Sequence, residues 1–384
     1  MANDLAQRAP DYIRAIAPYQ GGRPIGEIAR RFGFREDQIV KLASNENPLG
    51  LSPKARQAML EASQDLGRYP DGNGFELKQP IAKKFGLPEN TITLGNGSND
   101  ILELVAHTFL KPGVESVYSD HSFAVYALAT QAVGGQSVVV PADSKTLGND
   151  LSALAAAVTP NTGVIWLANP NNPTGSFLPG AEIRAFLKDL PASVLLVLDE
   201  AYTEFLSPAD RYNAFDWIAD CPNLLISRSF SKAYGLAGLR VGYGVAHPDV
   251  TDLLNRVRQP FNVNSLAQAA ATAALFDEDF LQESYDCNLA GLAQLTKGLE
   301  AIGLGVMPSR GNFVLVDLST RQPNAKPSDA LGGKVFDALL AKGVITRPVG
   351  NYGLPNHLRV SIGTSAENEA FLKAMAQVAQ TLWP

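Results

Sequence analysis

Four short apolar runs, each closed by a cluster of polar residues, constrain this chain more than any other feature. Thr91-Ile92-Thr93-Leu94 leads into Gly95-Asn96-Gly97-Ser98-Asn99-Asp100, and Val164-Ile165-Trp166-Leu167-Ala168 leads into Asn169-Pro170-Asn171-Asn172-Pro173-Thr174-Gly175. Val194 to Leu198, an unbroken VLLVL, precedes Asp199-Glu200-Ala201-Tyr202, and Leu224-Leu225-Ile226 precedes the segment Ser229-Phe230-Ser231-Lys232. Uninterrupted apolar runs of this length read as strands buried on both faces, which calls for an α/β fold with helices over both sides of a mostly parallel sheet. In such open sheets ligands collect beyond the carboxyl ends of the strands. Four polar motifs at four such ends describe one pocket.

Each motif carries a chemical role. Lys232, set among small residues and followed by Arg240, suits a Schiff base to an aldehyde cofactor that bears a phosphate, although the segment alone also reads as a solvated turn. Asp199, leaving a buried strand, can hold a protonated ring nitrogen and so make the ring an electron sink. An Asp-Glu pair in that place also binds magnesium in P-loop NTPases, but that reading needs GxxxxGK[ST] upstream and the chain has none. Asn172 and Tyr202 can each donate to a ring oxygen; NPNNPTG equally serves as a plain loop brace. The apolar positions Ile101, Leu102, Leu104, Val105, Thr108 and Phe109 begin directly after GNGSND with helical spacing. The backbone N–H groups of Ser98 and Asn99 would then point from a helix start at an anion. Ser229 and Arg240 would complete that phosphate seat. Phe123, within Asp120-His121-Ser122-Phe123-Ala124-Val125-Tyr126, can stack on the ring or pack as core.

Composition narrows the class without choosing within it. At 384 residues the chain is comfortable for two domains. Lys and Arg total 32 against 38 Asp and Glu, a net charge of −6, which argues against a nucleic-acid partner. Two cysteines, Cys221 and Cys287, fit a reducing cytoplasm and offer neither a disulfide framework nor a zinc spacing, and the four histidines, His107, His121, His247 and His357, are scattered, so no metal site is expected. The charged start Asp4, Arg8, Asp11 and Arg14 interrupts any membrane anchor. Strand-like and helical stretches alternate from about Gly50 to Phe276. Leu281, Tyr285, Leu289, Leu292, Leu295, Leu299 and Ile302 then repeat at three or four residues, the mark of a long amphipathic helix. Strands near Phe313 to Val316 and Leu358 to Ile362, a helix near Val335 to Leu340 and a terminal helix follow, with a surface loop at Ser319 to Ser328. The expected division is an N-terminal segment of the small domain at 1–47, a large cofactor-binding domain at 48–280 and a small α+β domain at 281–384.

These residues resemble the class I/II, fold type I aminotransferases dependent on pyridoxal 5′-phosphate, and within them the histidinol-phosphate aminotransferases. The resemblance runs from Pro18-Tyr19…Gly22-Arg23-Pro24 and Lys41-Leu42-Ala43-Ser44-Asn45-Glu46-Asn47-Pro48 through Arg68-Tyr69-Pro70-Asp71 to Leu358-Arg359-Val360-Ser361-Ile362-Gly363. It implies that Lys232 bonds the cofactor and moves the proton at substrate Cα, that Asp199 pairs with the pyridine nitrogen, and that Asn172 and Tyr202 bond the ring oxygen. Ser98, Asn99, Ser229 and Arg240 would hold the phosphate. Tyr69 resembles a tyrosine that reaches the neighbouring subunit's cofactor, which implies a homodimer; Tyr69 otherwise braces the turn at Pro70-Asp71-Gly72. Arg359 resembles the arginine that grips the substrate's anion, with Arg347 joining it on a phosphate unless it lies at the surface. Tyr19 resembles a residue that closes over the substrate, its alternative being a core anchor. Phe123 and Ser229 stand where many relatives have tyrosine and threonine. The implied reaction is amino transfer between histidinol phosphate and 2-oxoglutarate, or glutamate in reverse, in histidine biosynthesis. Amino transfer from aromatic amino acids and decarboxylation of a phosphorylated amino acid are the alternatives. A cofactor-sensing regulator would need a DNA-binding segment, and the short stretch before the large domain lacks a helix-turn-helix pattern.

Overall fold

Alternate residues of each apolar run go to opposite faces of one sheet. In the computed structural model, which describes residues 2–18 and 21–383, Val164 and Trp166 join one core cluster while Ile165 and Leu167 join another. Leu195 and Val197 part from Leu196 and Leu198 in the same way. This is the two-residue period of a strand with both faces buried. Helices Ser98–Phe109 and Ala124–Ala132 cover one face, and Gly180–Asp189 and Ser265–Leu275 the other.

Among the described residues the strands of this sheet lie in the order Ile92–Gly95, Gly242–Ala246, Leu224–Ser229, Leu195–Asp199, Thr162–Ala168, Glu115–Ser119 and Gln136–Val140. The pairs are parallel except that Gly242–Ala246 runs against both its neighbours. The sheet is therefore mostly parallel, with one reversed strand that the sequence reading did not name. That reversal has a direct consequence for the site. Two antiparallel pairings restore the direction of Ile92–Gly95, so the carboxyl ends of all the forward strands share one edge. The reversed strand begins at that edge, which brings Arg240, two residues ahead of it, to the same place.

A second, antiparallel sheet carries Arg347–Pro348, His357–Ser361, Phe313–Asp317 and Gly305–Met307 in that order. It shares its own core with helices Leu331–Leu340 and Ser365–Leu382. Val40–Lys41 pairs in parallel with Val344–Ile345, which fastens the N-terminal stretch to this unit. The stretch 319–328, expected as a loop, holds the short 3-10 turns Leu318–Arg321 and Pro327–Asp329.

The long helix Glu278–Ala301 is present, but its inward face differs from the expected one. Leu295 and Leu299 are buried as expected, whereas the upstream half buries Phe280, Ser284, Asn288 and Gly291 and leaves Leu289 55% exposed. Polar partners explain the shift. Ser284 Oγ accepts from Asn47 Nδ2 at 2.8 Å, Asn288 Nδ2 donates to the Gly311 carbonyl at 3.2 Å, and a Cβ on Gly291 would stand 2.3 Å from Ile362 Cγ2. Hydrogen bonding and close approach outweigh the leucine stripe there. Among the described residues no helix is long and apolar enough to cross a membrane.

Candidate active site

The strand ends converge on a cavity of about 260 Å³ lined by Ser98, Asn99, Phe123, Asn172, Asp199, Tyr202, Ser229, Lys232, Arg240, Arg347 and Arg359. Residues from 98 to 359 thus meet in one place. Among the described residues singled out from sequence, one does not line it. Tyr69 is 82% exposed and stacks on Phe261 with ring centroids 4.7 Å apart. Tyr19 lies outside the described residues.

At the floor of the cavity Asp199 Oδ2 accepts the Tyr126 hydroxyl at 2.9 Å, and Asp199 Oδ1 is buried without a hydrogen-bond partner among the described residues. Burial raises the Asp199 carboxyl to about 6, against the opposing pull of the Tyr126 hydroxyl. Tyr126 is itself held by Trp166, whose ring is parallel to it at 5.5 Å. Phe123 meets Tyr126 edge-on at 5.9 Å. Tyr126 was missed as a site residue, yet a signal existed: it follows Phe123 by three positions, which places both on one side of a helical turn.

Lys232 Nζ donates to the Ser44 carbonyl at 3.1 Å and lies 5.9 Å from the centre of the Tyr202 ring. Burial, helped by the Arg359 guanidinium, lowers the amine to about 8. Tyr202 is pushed up to about 12 by burial, and its hydroxyl accepts from Asn45 Nδ2 at 2.9 Å. Asn45 holds a positive φ of 54° and also bonds Ser361, whose hydroxyl donates to Asn45 Oδ1 at 2.9 Å. The asparagine-rich run Ser44 to Pro48 carried that signal, since Asn tolerates the left-handed region.

At the other end Gly97 caps the helix Ser98–Phe109. A Cβ on Gly97 would stand 2.4 Å from Arg240 Nη2, and one on Gly242 would stand 2.6 Å from the Ser98 nitrogen, so both glycines exist to let the guanidinium and the helix start come together. Arg240 Nη1 donates to Ser231 Oγ at 3.4 Å, and the Ser231 N–H donates to Ser229 Oγ at 3.0 Å. A helix start, two hydroxyls and a guanidinium at one corner form a seat for an anion. Ser231 was not singled out from sequence.

The second sheet supplies the opposite wall. Arg347 and Arg359 are direct partners across the antiparallel pair, 9% and 6% exposed, and both line the cavity. The alternative of Arg347 as a surface residue is therefore excluded. Arg359 Nη1 donates to Asn172 Oδ1 and Nη2 to the Ala43 carbonyl, each at 2.6 Å. That bond occupies the amide oxygen of Asn172, a residue of the cavity wall, so the donor the side chain keeps is its Nδ2.

The model of the family described as aminotransferase class I and II matches residues 37–375. The chain belongs to this family. This aminotransferase is 58% identical over 369 residues to histidinol-phosphate aminotransferase 2 of Ralstonia nicotianae, with 96% of each chain covered. It is 56% identical to histidinol-phosphate aminotransferase 1 of Cupriavidus pinatubonensis over 95% of each. Among solved structures, the histidinol-phosphate aminotransferase from Sinorhizobium meliloti in complex with pyridoxal 5′-phosphate superposes with a TM-score of 0.88 at 31% identity and covers 98% of both chains.

Proposed function

We propose that this aminotransferase exchanges an amino group between L-histidinol phosphate and 2-oxoglutarate, using pyridoxal 5′-phosphate, as a cytoplasmic homodimer. The cross-strand pair Arg347–Arg359 carries the reading. Two guanidinium groups directly opposite on one face of a sheet repel each other, and an anion between them turns that repulsion into attraction. A dianionic phosphate uses both; a carboxylate, the anion of glutamate, uses the same grip. The relatives named for histidinol phosphate support the choice of donor.

The cavity fits the cofactor on the protein's own terms. The unpartnered Asp199 Oδ1 offers a carboxyl to the ring nitrogen, and the Gly97–Arg240 corner offers the phosphate seat. When bound, pyridoxal 5′-phosphate supplies the carbonyl that captures the amino group and the ring that withdraws electrons from the substrate's Cα. The chain's residues do the rest. Ser98, Asn99, Ser229 and Arg240 hold the phosphate, Asn172 and Tyr202 orient the ring oxygen, and Phe123 covers the ring. Lys232, whose lowered basicity leaves a share of neutral amine near neutrality, takes and returns the proton at substrate Cα. Tyr69 and Phe261, a stacked aromatic pair that is 82% and 44% exposed, favour a second copy over this surface, where Tyr69 would reach the partner's cofactor.

The test is a single half-reaction. The cofactor-loaded protein is mixed with histidinol phosphate or with phenylalanine, without keto acid, and the visible absorbance of the lysine-bound cofactor is followed. Histidinol phosphate should be converted at least about 10²-fold faster, because a site built around a phosphate rejects a donor that lacks one. Faster conversion of phenylalanine would move the protein to the aromatic class, and release of carbon dioxide from a phosphorylated amino acid would make it a decarboxylase.

Tyr126→Phe isolates the Asp199 anchor. It removes only the hydroxyl on Asp199 Oδ2 and keeps the stack on Trp166. Affinity for pyridoxal 5′-phosphate, titrated by fluorescence, should fall by about tenfold or more, the effect of losing a hydrogen bond to a charged group. An unchanged affinity would remove Tyr126 from the site.

A further inference from the structure

Behind the cavity, on the side of the strand ends turned away from it, lies a buried polar network that the reaction does not use. Glu200 follows Asp199 and Arg228 precedes Ser229, so in extended strands their side chains leave the opposite face of the sheet. The backbones are locked together, since the Glu200 N–H donates to the Ser227 carbonyl at 2.9 Å. Arg228 Nε and Nη2 both reach Glu200 Oε2, at 2.9 and 2.8 Å, with the two side chains 9% and 0% exposed. The guanidinium is covered by Phe215 at 4.4 Å and Phe85 at 5.4 Å, and Tyr243 on the reversed strand lies beside it. On the other flank the Tyr212 hydroxyl accepts from Asn169 Nδ2 at 3.0 Å and faces Glu200.

The network therefore touches four adjacent strands. Asn169 opens the turn that carries Asn172, Glu200 adjoins Asp199, Arg228 adjoins Ser229, and Tyr243 adjoins Gly242 beneath the phosphate corner. A second acid, Glu204, also faces Arg228, and burial pushes its carboxyl up to about 7. Replacing a buried ion pair with apolar groups of similar volume is often neutral for stability, so stability alone does not account for keeping this one.

We propose that Arg228 and Glu200 are positioning residues that, together with Tyr212, set the spacing of Asn172, Asp199 and Ser229 around the cofactor. The inference rests on the reading that the cavity holds pyridoxal 5′-phosphate.

The test is the double variant Glu200→Gln/Arg228→Met, which removes both charges together. Three quantities are read: the unfolding midpoint of the apoprotein, its dissociation constant for pyridoxal 5′-phosphate, and the pH midpoint of the visible absorbance of the loaded protein. The expected result is an unfolding midpoint close to that of the unaltered protein, a dissociation constant raised at least about tenfold, and a displaced absorbance midpoint. An unchanged dissociation constant and absorbance midpoint overturn the proposal, whether or not the unfolding midpoint falls. Should the double variant not fold, Tyr212→Phe removes the single hydroxyl between Asn169 and Glu200 and is read in the same way. Failure of the unaltered apoprotein to bind pyridoxal 5′-phosphate would instead overturn the cofactor reading and this inference with it.

Discussion

A Lys232→Ala protein should lose amino transfer by at least about 10³-fold, within the range for removing a positioned acid–base group, while keeping measurable affinity for pyridoxal 5′-phosphate. Lys232 is the one lysine among the described residues that line the cavity, so no second amine is on hand to carry the proton. The phosphate seat, the Asp199 carboxyl and the Asn172 amide remain, so the cofactor still has partners. Steady-state transamination and a fluorescence titration of the apoprotein check the two halves, and near-normal turnover would end the assignment. A control separates this loss from misfolding. The folded pKa of Lys232 is lowered from 10.5 to about 8, so in the apoprotein this residue detracts from stability increasingly as pH falls from 10.5 to about 8, and fully below that. At pH 7 the apo variant should therefore unfold at or above the midpoint of the unaltered apoprotein, with the gap closing toward pH 10.5.

The second large effect concerns the arginine pair. Arg359→Met should reduce kcat/KM by about 10²-fold or more for both histidinol phosphate and glutamate, as expected when one partner of a buried, hydrogen-bonded charge pair is truncated. It loses the anion contact and also the bonds to Asn172 and Ala43. Arg347→Met should depress histidinol phosphate by about tenfold or more and glutamate less, because a phosphate engages two forks fully and a carboxylate is satisfied by one. Equal losses on both substrates from Arg347→Met would show that Arg347 is not the phosphate-selective member.

The same particulars show what was legible in the sequence. Strands such as Leu195–Asp199 were readable because both faces are buried and the run is purely apolar. Gly242–Ala246, with the sequence GYGVA, was not, because glycines dilute the pattern and its direction is fixed only by its neighbours. Residues at or just beyond strand ends, such as Asp199 and Lys232, announced themselves as polar groups after apolar runs. The alignment of Arg347 with Arg359 depends on strand register, which the spacing alone does not reveal. Tyr212 and Arg228 act across long stretches of chain and on hidden faces, where composition carries no signal, whereas Tyr126 was marked only by its spacing from Phe123. In the long helix the leucine stripe misled because Ser284 and Asn288 found buried partners.

Arg347 and Arg359 stand on a ladder of their own, apart from the strands that end in Asp199 and Ser229. On the proposed reading, the two ends of a donor molecule are measured by separately built rulers. The turn from Val349 to Asn356 sets where one arginine falls against the other, and a one-residue insertion or deletion there would turn one of them to the opposite face. A change of accepted donor length is therefore most economically reached through that turn, leaving every wall residue of the cofactor's half untouched.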